Sequence, residues 1–312
     1  METSIERAES HRAGLLKKGR GGWKDALIAR FIFLNGTTAI VIVFLIFLLL
    51  LKDALPIFKT VGVWKFIAGR DWAPDQGQYG LVPLLFGSLF VTAGAVVIAI
   101  PLGIACAVYL AEVAPRSIRE ILKPTIEVLA GIPSVVIGFI GLTIAAPFLQ
   151  NIFQLPIGLT ALTGSVMLAF MSIPTIISIS EDAIVAVPKA YRDGSLALGA
   201  SRWETIRGVV VPAARSGIIA GCMLGVGRAV GETMTVLMVT GNASNIPESL
   251  ARVGSYFFGP VRTMTATVAL EMGDAVQNSA HYYALFAVGL SLFVITFVIN
   301  LVADLALRRA KH

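Results

Sequence analysis

The stretch from Ala213 to Val239 reads AARSGIIAGCMLGVGRAVGETMTVLMV and carries Arg228 near the middle of a mostly apolar run. A run of this length can cross a membrane as a helix. A charge at that depth costs on the order of 3 kcal/mol or more unless it is paired or faces water. Glu232 follows one helical turn later, so an Arg–Glu pair that locks two helices is one interpretation. The other interpretation, which the cost of the charge favours, is a site for something charged that must cross.

The composition of the chain is that of an integral membrane protein. Of the 312 residues, 56% are apolar and 14% are charged, whereas soluble domains carry about 25% charged residues. The net charge of +6 does not indicate nucleic-acid binding, because the basic residues are concentrated in loops on one side of the membrane. Membrane lipid is the expected surrounding. Cys106 and Cys222 lie inside apolar runs and the His residues lie far apart, so we expect no disulfide, no metal site and no cofactor.

Six apolar runs predict an all-α membrane protein with six transmembrane helices. The predicted spans are 28–51, 83–112, 124–149, 158–181, 213–240 and 283–307. The first run lacks a small-residue cleavage site at its end, so we interpret it as a retained helix and not as a signal peptide. The predicted organisation is therefore a tail (1–27), a first helix (28–51), an outer loop (52–82), a core of five spans (83–307) and a second tail (308–312).

Three of the predicted spans contain helix-breaking residues. The motifs are Pro101-Leu-Gly103, Gly131-Ile-Pro-Ser134 and Ser172-Ile-Pro174. Proline is tolerated in membrane helices where neighbours or a water-lined cavity satisfy the freed carbonyls. Interrupted spans are typical of helices packed around a pathway, although a kink for packing alone is the simpler interpretation of any single proline.

The distribution of Lys and Arg sets the orientation in the membrane. With the amino terminus inside, the inner segments hold eighteen of the 25 basic residues and the outer segments hold six, and Arg228 is the one left over. This asymmetry predicts cytoplasmic amino and carboxyl termini.

The fifth span carries Gly217, Gly221 and Gly225 at four-residue spacing. This spacing places the glycines on one face, where a second helix can approach closely. A helix with both a glycine face and a charged pair belongs at the centre of a bundle. The outer loop 241–282 that follows is too long for a plain hairpin, and we expect its segment 262–275 to form a helix that packs back on the core as a gate.

Residues typical of helix starts and ends predict a short helix in the inner loop 182–212. Pro188 suits the first turn and Gly199 suits the end, and a helix of this length is not stable alone. Tyr191, Ser195 and Leu198 fall on one face. Such a face needs either a partner groove or a surface of lipid headgroups, and the residues by themselves leave both open.

The loop carries Asp193-Gly194-Ser195, Gly199 and Val209-Val210-Val211-Pro212. Their spacing resembles that of the cytoplasmic motif of binding-protein-dependent ABC importer permeases. The family's motif has Glu where this chain has Asp193 and Ala where it has Gly194, and Gly lowers helix propensity by about 1 kcal/mol. The resemblance implies a type I ABC importer permease fold, in which the helix docks on an ATPase subunit. The implied coupling residues are Tyr191, Asp193, Gly194, Ser195, Leu198, Gly199 and Pro212.

A wider resemblance, over residues 28–307, is to phosphate importer permeases of the PstC type. It rests on Trp72-Ala-Pro74, Tyr79-Gly-Leu-Val-Pro83, Ile100-Pro-Leu-Gly-Ile104, Tyr109-Leu-Ala-Glu112, Gly131-Ile-Pro-Ser134 and Gly227-Arg-Ala-Val-Gly-Glu-Thr-Met234. It implies inorganic phosphate as substrate and a location in the bacterial inner membrane. The implied partners are a second permease of the PstA type, a cytoplasmic ATPase dimer and an external phosphate-binding protein. The implied pathway residues are Arg228 and Glu232, and we expect Thr233 and Ser134 to join them. Because an ionised Glu cannot contact an anion favourably, we expect Glu232 to hold Arg228 in a resting ion pair that the anion displaces.

Enzymatic chemistry finds no support in the sequence. No Lys follows a Gly, so a Walker A phosphate loop is absent and ATP hydrolysis is expected on a separate subunit. No nucleophile–base pair or metal cluster supports a membrane-embedded enzyme. A permease for another oxyanion, such as molybdate or sulfate, stays open. A stand-alone channel or a secondary transporter is less favoured, because no inverted repeat is evident and neither needs a docking helix.

Overall fold

The computed structural model describes residues 23–244 and 253–310, and it divides into one unit up to Leu49 and a second from Leu50 onward. Most of the predicted tail 1–27, part of the outer loop 241–282 and the last two residues lie outside the described residues. Helix α1 (Trp23–Thr60) runs through the unit boundary, and its part in the first unit exposes apolar side chains such as Phe31, Ile40 and Phe44. An apolar helix of this kind faces lipid.

The predicted outer loop 52–82 is folded. Helix α1 continues to Thr60, about nine residues beyond the predicted span end. Helix α2 (Val63–Ala68) follows, and a two-stranded antiparallel hairpin joins β1 (Trp72–Ala73) to β2 (Gln78–Tyr79). Phe66 of α2 is fully buried. Residues 61–80 of the loop therefore form a small outer platform.

The second unit contains the remaining spans as long helices and one bent pair. Helix α3 (Val82–Val108) is extended by a π turn (Tyr109–Val113), and helix α4 (Arg116–Ala130) follows. The next span consists of α5 (Ser134–Ile140), a π turn (Gly141–Ala145) and α6 (Ala146–Phe153). The most buried span is α7 (Ala161–Val185).

The inner loop and the last spans complete the helical order. Helix α8 (Lys189–Ala197) precedes α9 (Arg202–Thr205), a π turn (Ile206–Val210) and α10 (Val211–Ala213). The fifth span comprises α11 (Arg215–Gly231) and α12 (Met234–Val239), the outer loop contains α13 (Val253–Phe257) and α14 (Met264–Glu271), and α15 (Ala280–Ala310) is the last span.

The prediction of an all-α membrane protein is confirmed, with two further corrections to the span boundaries besides the longer α1. Within the described residues, five helices are long and apolar enough to cross a membrane. The pair Arg202–Ala213 and Arg215–Gly231, which is bent by 70°, brings the number to six when it is counted as one span. The third span begins at Ser134 and not at 124, because α4 is a separate amphipathic helix that ends before Pro133. The fifth span is interrupted at Glu232 and Thr233, which lie between α11 and α12.

The glycine face of α11 packs against α7. A Cβ atom on Gly217 would lie 2.2 Å from the Cβ of Ala183, and one on Gly225 would lie 2.6 Å from Cγ1 of Ile176. Gly221 approaches Ser180 in the same way, at 2.9 Å from Oγ. The predicted close helix pair is therefore present, and its partner is the central helix α7. Side chains larger than hydrogen would separate the two helices.

Replacing Gly217 by Ala is expected to destabilise the folded protein by about 1–3 kcal/mol, because the added methyl group overpacks the contact with Ala183. Gly227→Ala is the matched control on the same helix, since nothing lies within 4 Å of its Cβ position. That change should be neutral or slightly stabilising. The measurement is the melting temperature of the two variants in detergent; equal values would contradict the packing described here.

Candidate functional site

Arg228 lies in the last turn of α11 and is held by two neutral groups. Its Nη1 donates to Oγ1 of Thr175 at 3.2 Å, and its Nη2 donates to the carbonyl oxygen of Ala130 at 3.2 Å. Thr175 belongs to the central helix α7, whereas Ala130 is the last residue of α4. The carbonyl end of a helix attracts a cation. Arg228 is therefore positioned by two other helices.

The expected ion pair between Arg228 and Glu232 is not formed in this structure. Helix α11 ends at Gly231, and Glu232 has extended backbone angles. Its Oε1 accepts a hydrogen bond from the backbone N–H of Thr235 at 3.2 Å, in the first turn of α12. The i, i+4 relation assumed a continuous helix, and the chain leaves the helix between the two residues. Across residues 23–244 and 253–310, no carboxylate lies within 4.0 Å of the Arg228 guanidinium.

Among the described residues, no carboxylate therefore neutralises the charge of the Arg228 guanidinium, and most of its N–H donors are unused. An Arg side chain has five N–H donors, and two of them are used by Thr175 and Ala130. The others can be satisfied by water or by an anion. A partly buried cation whose neighbours are neutral is the arrangement expected of an anion site inside a membrane protein.

The interruptions in the third and fifth spans lie against each other. The side-chain hydroxyl of Thr235 in α12 donates to the carbonyl oxygen of Ser134, the first residue of α5, at 3.1 Å. A Cβ on Gly138 would lie 3.2 Å from Cα of Thr235, so α5 and α12 are in close contact. Thr233 lies in the interruption itself. The structure therefore brings Arg228, Glu232, Thr233 and Ser134 to one region, where two spans are broken.

The predicted gate segment contacts this region from the outside. Helix α14 begins after Thr263, whose hydroxyl accepts the N–H of Ala266. The hydroxyl of Thr265 donates to the carbonyl oxygen of Glu232 at 2.8 Å, and the N–H of Met264 donates to Oγ of Ser88 at 2.8 Å. The helix expected within 262–275 is confirmed, and its first turn binds the interruption of the fifth span.

The far end of α14 is held by a cluster that the sequence did not reveal. The carboxylate of Glu271 accepts hydrogen bonds from Nη1 of Arg262 at 2.5 Å and from Nε1 of Trp72 at 3.1 and 3.2 Å. Nε2 of His281 lies 2.8 Å from its second oxygen. We call Trp72, Arg262, Glu271 and His281 the outer clasp. These four residues are separated from one another in the sequence, so no short motif predicts that they form a cluster.

The exposed face of α8 carries two of the predicted coupling residues. Tyr191 is 55% exposed and Leu198 is 91% exposed, and Gly199 ends the helix with a φ of 87°. The side chain of Ser195 contacts the next helix, α9, where its hydroxyl lies 2.9 Å from the hydroxyl of Thr205. Ser195 is therefore half-buried, and its part in coupling to the ATPase stays a prediction. The other predicted coupling residues, Asp193, Gly194 and Pro212, are exposed.

Trp203 adds a large apolar side chain that the motif analysis missed. It is 63% exposed and lines a cavity together with Leu196 of α8 and Ile206. The sequence signal that could have revealed it is a Trp two residues after Ser201, which caps α9. Tyr191, Leu198 and Trp203 thus present apolar surface on the inner side of the protein.

Comparisons with known proteins agree with this architecture. Residues 99–312 match the family described as binding-protein-dependent transport system inner membrane component. A probable ABC transporter permease protein, YqgH of Bacillus subtilis, is 42% identical, and the match covers 78% of each chain. The phosphate transport system permease protein PstC of Mesorhizobium japonicum is 36% identical, over 92% of this chain and 94% of the relative.

Solved structures show the same fold at low sequence identity. A chain of a bacterial ABC transporter involved in the import of the acidic polysaccharide alginate superposes with a TM-score of 0.58 at 16% identity, covering 92% of this chain and 98% of that one. A chain of the MetNI methionine ABC transporter superposes with a TM-score of 0.57 at 17% identity, covering 74% and 95%.

Proposed function

The chain belongs to the binding-protein-dependent transport system inner membrane component family, and we propose that it is the PstC-type permease subunit of an ATP-driven importer of inorganic phosphate. It is a multi-pass transport subunit of the inner membrane, and ATP hydrolysis takes place on a separate ATPase subunit. Membership of the family implies an ATPase and an external binding protein as partners. The relatives named as phosphate permeases, among them PstC of Mesorhizobium japonicum, support phosphate as the substrate.

The observation that best supports the proposed pathway is that Arg228 is bound by neutral groups and not by a carboxylate of the described residues. Phosphate bears one to two negative charges at neutral pH, and in a low-dielectric path it needs donors and a positive charge to replace its water. The planar fork of an Arg matches phosphate oxygens, whereas Lys offers a point charge. Thr175 and Ala130 accept hydrogen bonds from Arg228, and no carboxylate among the described residues pairs with it. Its position is therefore fixed while its charge is left for the anion.

Weak binding at Arg228 suits transport. The bonds from Arg228 to Thr175 and Ala130 are both 3.2 Å long, at the long end of the usual range, so these contacts can exchange with phosphate oxygens. Tight capture in the pathway would stop transport. High affinity belongs to the external binding protein in this proposal.

We propose that Glu232 positions the interruption of the fifth span. Its carboxylate binds the first turn of α12 through Thr235, and its carbonyl oxygen accepts from Thr265 of the gate helix. An ionised carboxylate does not bind an anion favourably. Its role is therefore to hold α12 relative to α14, which determines whether the outer gate is closed.

The proposed coupling surface consists of Tyr191, Leu198 and Trp203. Exposed apolar side chains on a short inner helix fit a groove on a partner. In this proposal α8 docks on one subunit of a cytoplasmic ATPase dimer.

The proposed importer contains a second, related permease of the PstA type. One chain with a single Arg228 site lines half of a pathway, so a purified complex is expected to contain one distinct permease beside this chain. The test is copurification followed by mass spectrometry of the subunits. Recovery of a stable, active homodimer with the ATPase and no second permease would remove the claim.

Another oxyanion remains the competing substrate, because the fork of Arg228 fits any tetrahedral oxyanion. Reconstituted complex should take up labelled phosphate, and excess sulfate or molybdate should compete poorly. Equal competition by either anion would reassign the substrate while leaving the family unchanged.

A further inference from the structure

Arg192 fastens the docking helix α8 to two membrane spans. Its Nε and Nη2 donate to Oε1 of Glu112 at 3.0 and 2.6 Å. Its Nη2 also donates to the carbonyl oxygen of Ile184 at 2.9 Å, and its Nη1 donates to that of Val187 at 2.5 Å. Glu112 lies in the π turn at the inner end of the second span, and Ile184 lies in the last turn of α7. One guanidinium therefore joins three elements.

The Arg192–Glu112 pair differs from the surface ion pairs of the same protein. The two side chains are 20% and 12% exposed, whereas those of Arg116 and Glu120 are 92% and 64% exposed. An exposed pair contributes little. A largely buried pair with additional carbonyl acceptors holds a fixed geometry, because breaking it leaves an uncompensated charge. The pair therefore holds α8 rigidly against the inner ends of two spans.

This connection leads toward the anion site along α7. Ile184 and Thr175 lie on the same helix, about 14 Å apart along its axis, and Thr175 holds Arg228. The glycine face of α11 is packed against α7 over this length, so the two helices cannot slide independently. A displacement of α8 therefore reaches the site through a continuous packed body.

The second partner of Arg228 is fastened to the same helix. Nζ of Lys123 in α4 lies 2.6 Å from the carboxylate of buried Glu181 and 2.8 Å from that of Asp182, both in the last turns of α7. The hydrogen bonds with Asp182 and Glu181 raise the pKa of Lys123, so it is charged at neutral pH. Helix α4 ends at Ala130, which accepts from Arg228. Both neutral partners of Arg228 thus move with α7.

We propose that Arg192 is a positioning residue for energy coupling: it makes α8, the inner end of the second span and α7 move together, so that closure of the ATPase reaches Thr175, Ala130 and Arg228. This inference rests on the proposed function, in which the ATPase docks on α8. The side chain of Arg192 faces the spans, whereas Tyr191 and Leu198 face the partner. Docking and transmission are therefore separable.

The test uses the complete complex in proteoliposomes, with labelled phosphate uptake and ATP hydrolysis measured in the same sample. Arg192→Gln should retain the ATPase and its hydrolysis while uptake per ATP falls about tenfold, within the range typical of coupling between sites. Glu112→Gln removes the negative charge from the connection to the second span but keeps an acceptor oxygen for Arg192, so it should give a smaller fall. The double variant should be no worse than Arg192→Gln, because both residues serve one connection.

The matched control is Arg116→Gln, which removes an exposed pair on the same side and should leave uptake per ATP unchanged. Additive effects of the two substitutions, or an unchanged ratio in Arg192→Gln, would overturn the proposal. Loss of the complex in all Arg192 and Glu112 variants, including Arg192→Lys, would also overturn it, since the pair would then be a structural fastening. Failure of the unaltered chain to bind any ATPase would instead refute the proposed function.

Discussion

Replacing Arg228 by Ala or by Gln is expected to reduce phosphate uptake about a hundredfold or more, because each hydrogen bond to a charged group is worth about 1.5–3 kcal/mol and the fork makes two. Assembly should survive, since each substitution removes two hydrogen bonds of 3.2 Å to the neutral groups of Thr175 and Ala130 and breaks no ion pair among the described residues. Arg228→Lys should be partly active at best, because Lys lacks the planar fork.

The same measurement separates a transport role from an architectural one. Uptake of labelled phosphate is recorded beside recovery of the complex for the three Arg228 variants and for Glu232→Gln, which keeps an acceptor for Thr235. Glu232→Gln should disturb gating more than assembly, and Arg116→Gln is the neutral control. An architectural role for Arg228 predicts the opposite order, with assembly failing first and any residual complex transporting normally.

Replacing Tyr191 or Leu198 by Asp is expected to release the ATPase while the membrane domain stays folded. Both side chains are exposed in the isolated chain, so neither substitution disturbs packing. In a docked complex each would place a carboxylate in an apolar groove, which costs several kcal/mol. The measurement is copurification of the ATPase with each variant.

The control for this experiment is Val276→Asp. Val276 is 75% exposed and lies in the outer loop, away from α8, so the ATPase should remain bound. If the ATPase stays bound to the Tyr191 and Leu198 variants as well, α8 does not dock there. Its exposed face would then lie on lipid headgroups, the alternative that the sequence left open.

The features that could be predicted from sequence are those set by local spacing. Gly217, Gly221 and Gly225 fall on one helix face whatever the partner is, and α7 is indeed packed on them. Pro188 and Gly199 bound a short helix by their own backbone preferences, and the structure places α8 between them. The charge of Arg228 inside an apolar run also indicated the candidate site without any knowledge of its neighbours.

The features that could not be predicted depend on contacts between distant segments. The third span begins at Ser134 because α4 ends at Ala130 and Pro133 precedes a new helix. Average hydropathy over the run does not show that Ala130, at this break, accepts a hydrogen bond from Arg228. Glu232 leaves the helix because its carboxylate binds Thr235 and its carbonyl binds Thr265. The spacing of a continuous helix, taken alone, predicts instead that Glu232 pairs with Arg228. The outer clasp joins Trp72 to Glu271, which no short-range pattern connects.

The π turns at Tyr109–Val113, Gly141–Ala145 and Ile206–Val210 have a consequence for comparing this permease with its relatives. A π turn holds one residue more than the α-helical turn it replaces. The added residue lies within the helix, and helical residues that follow it are rotated by about 100° relative to an uninterrupted helix. In an alignment with a relative that lacks the π turn Gly141–Ala145, gaps placed only in loops would assign the residues of α6 (Ala146–Phe153) to the wrong helix face. Placing the gap inside the π turn restores equivalent faces.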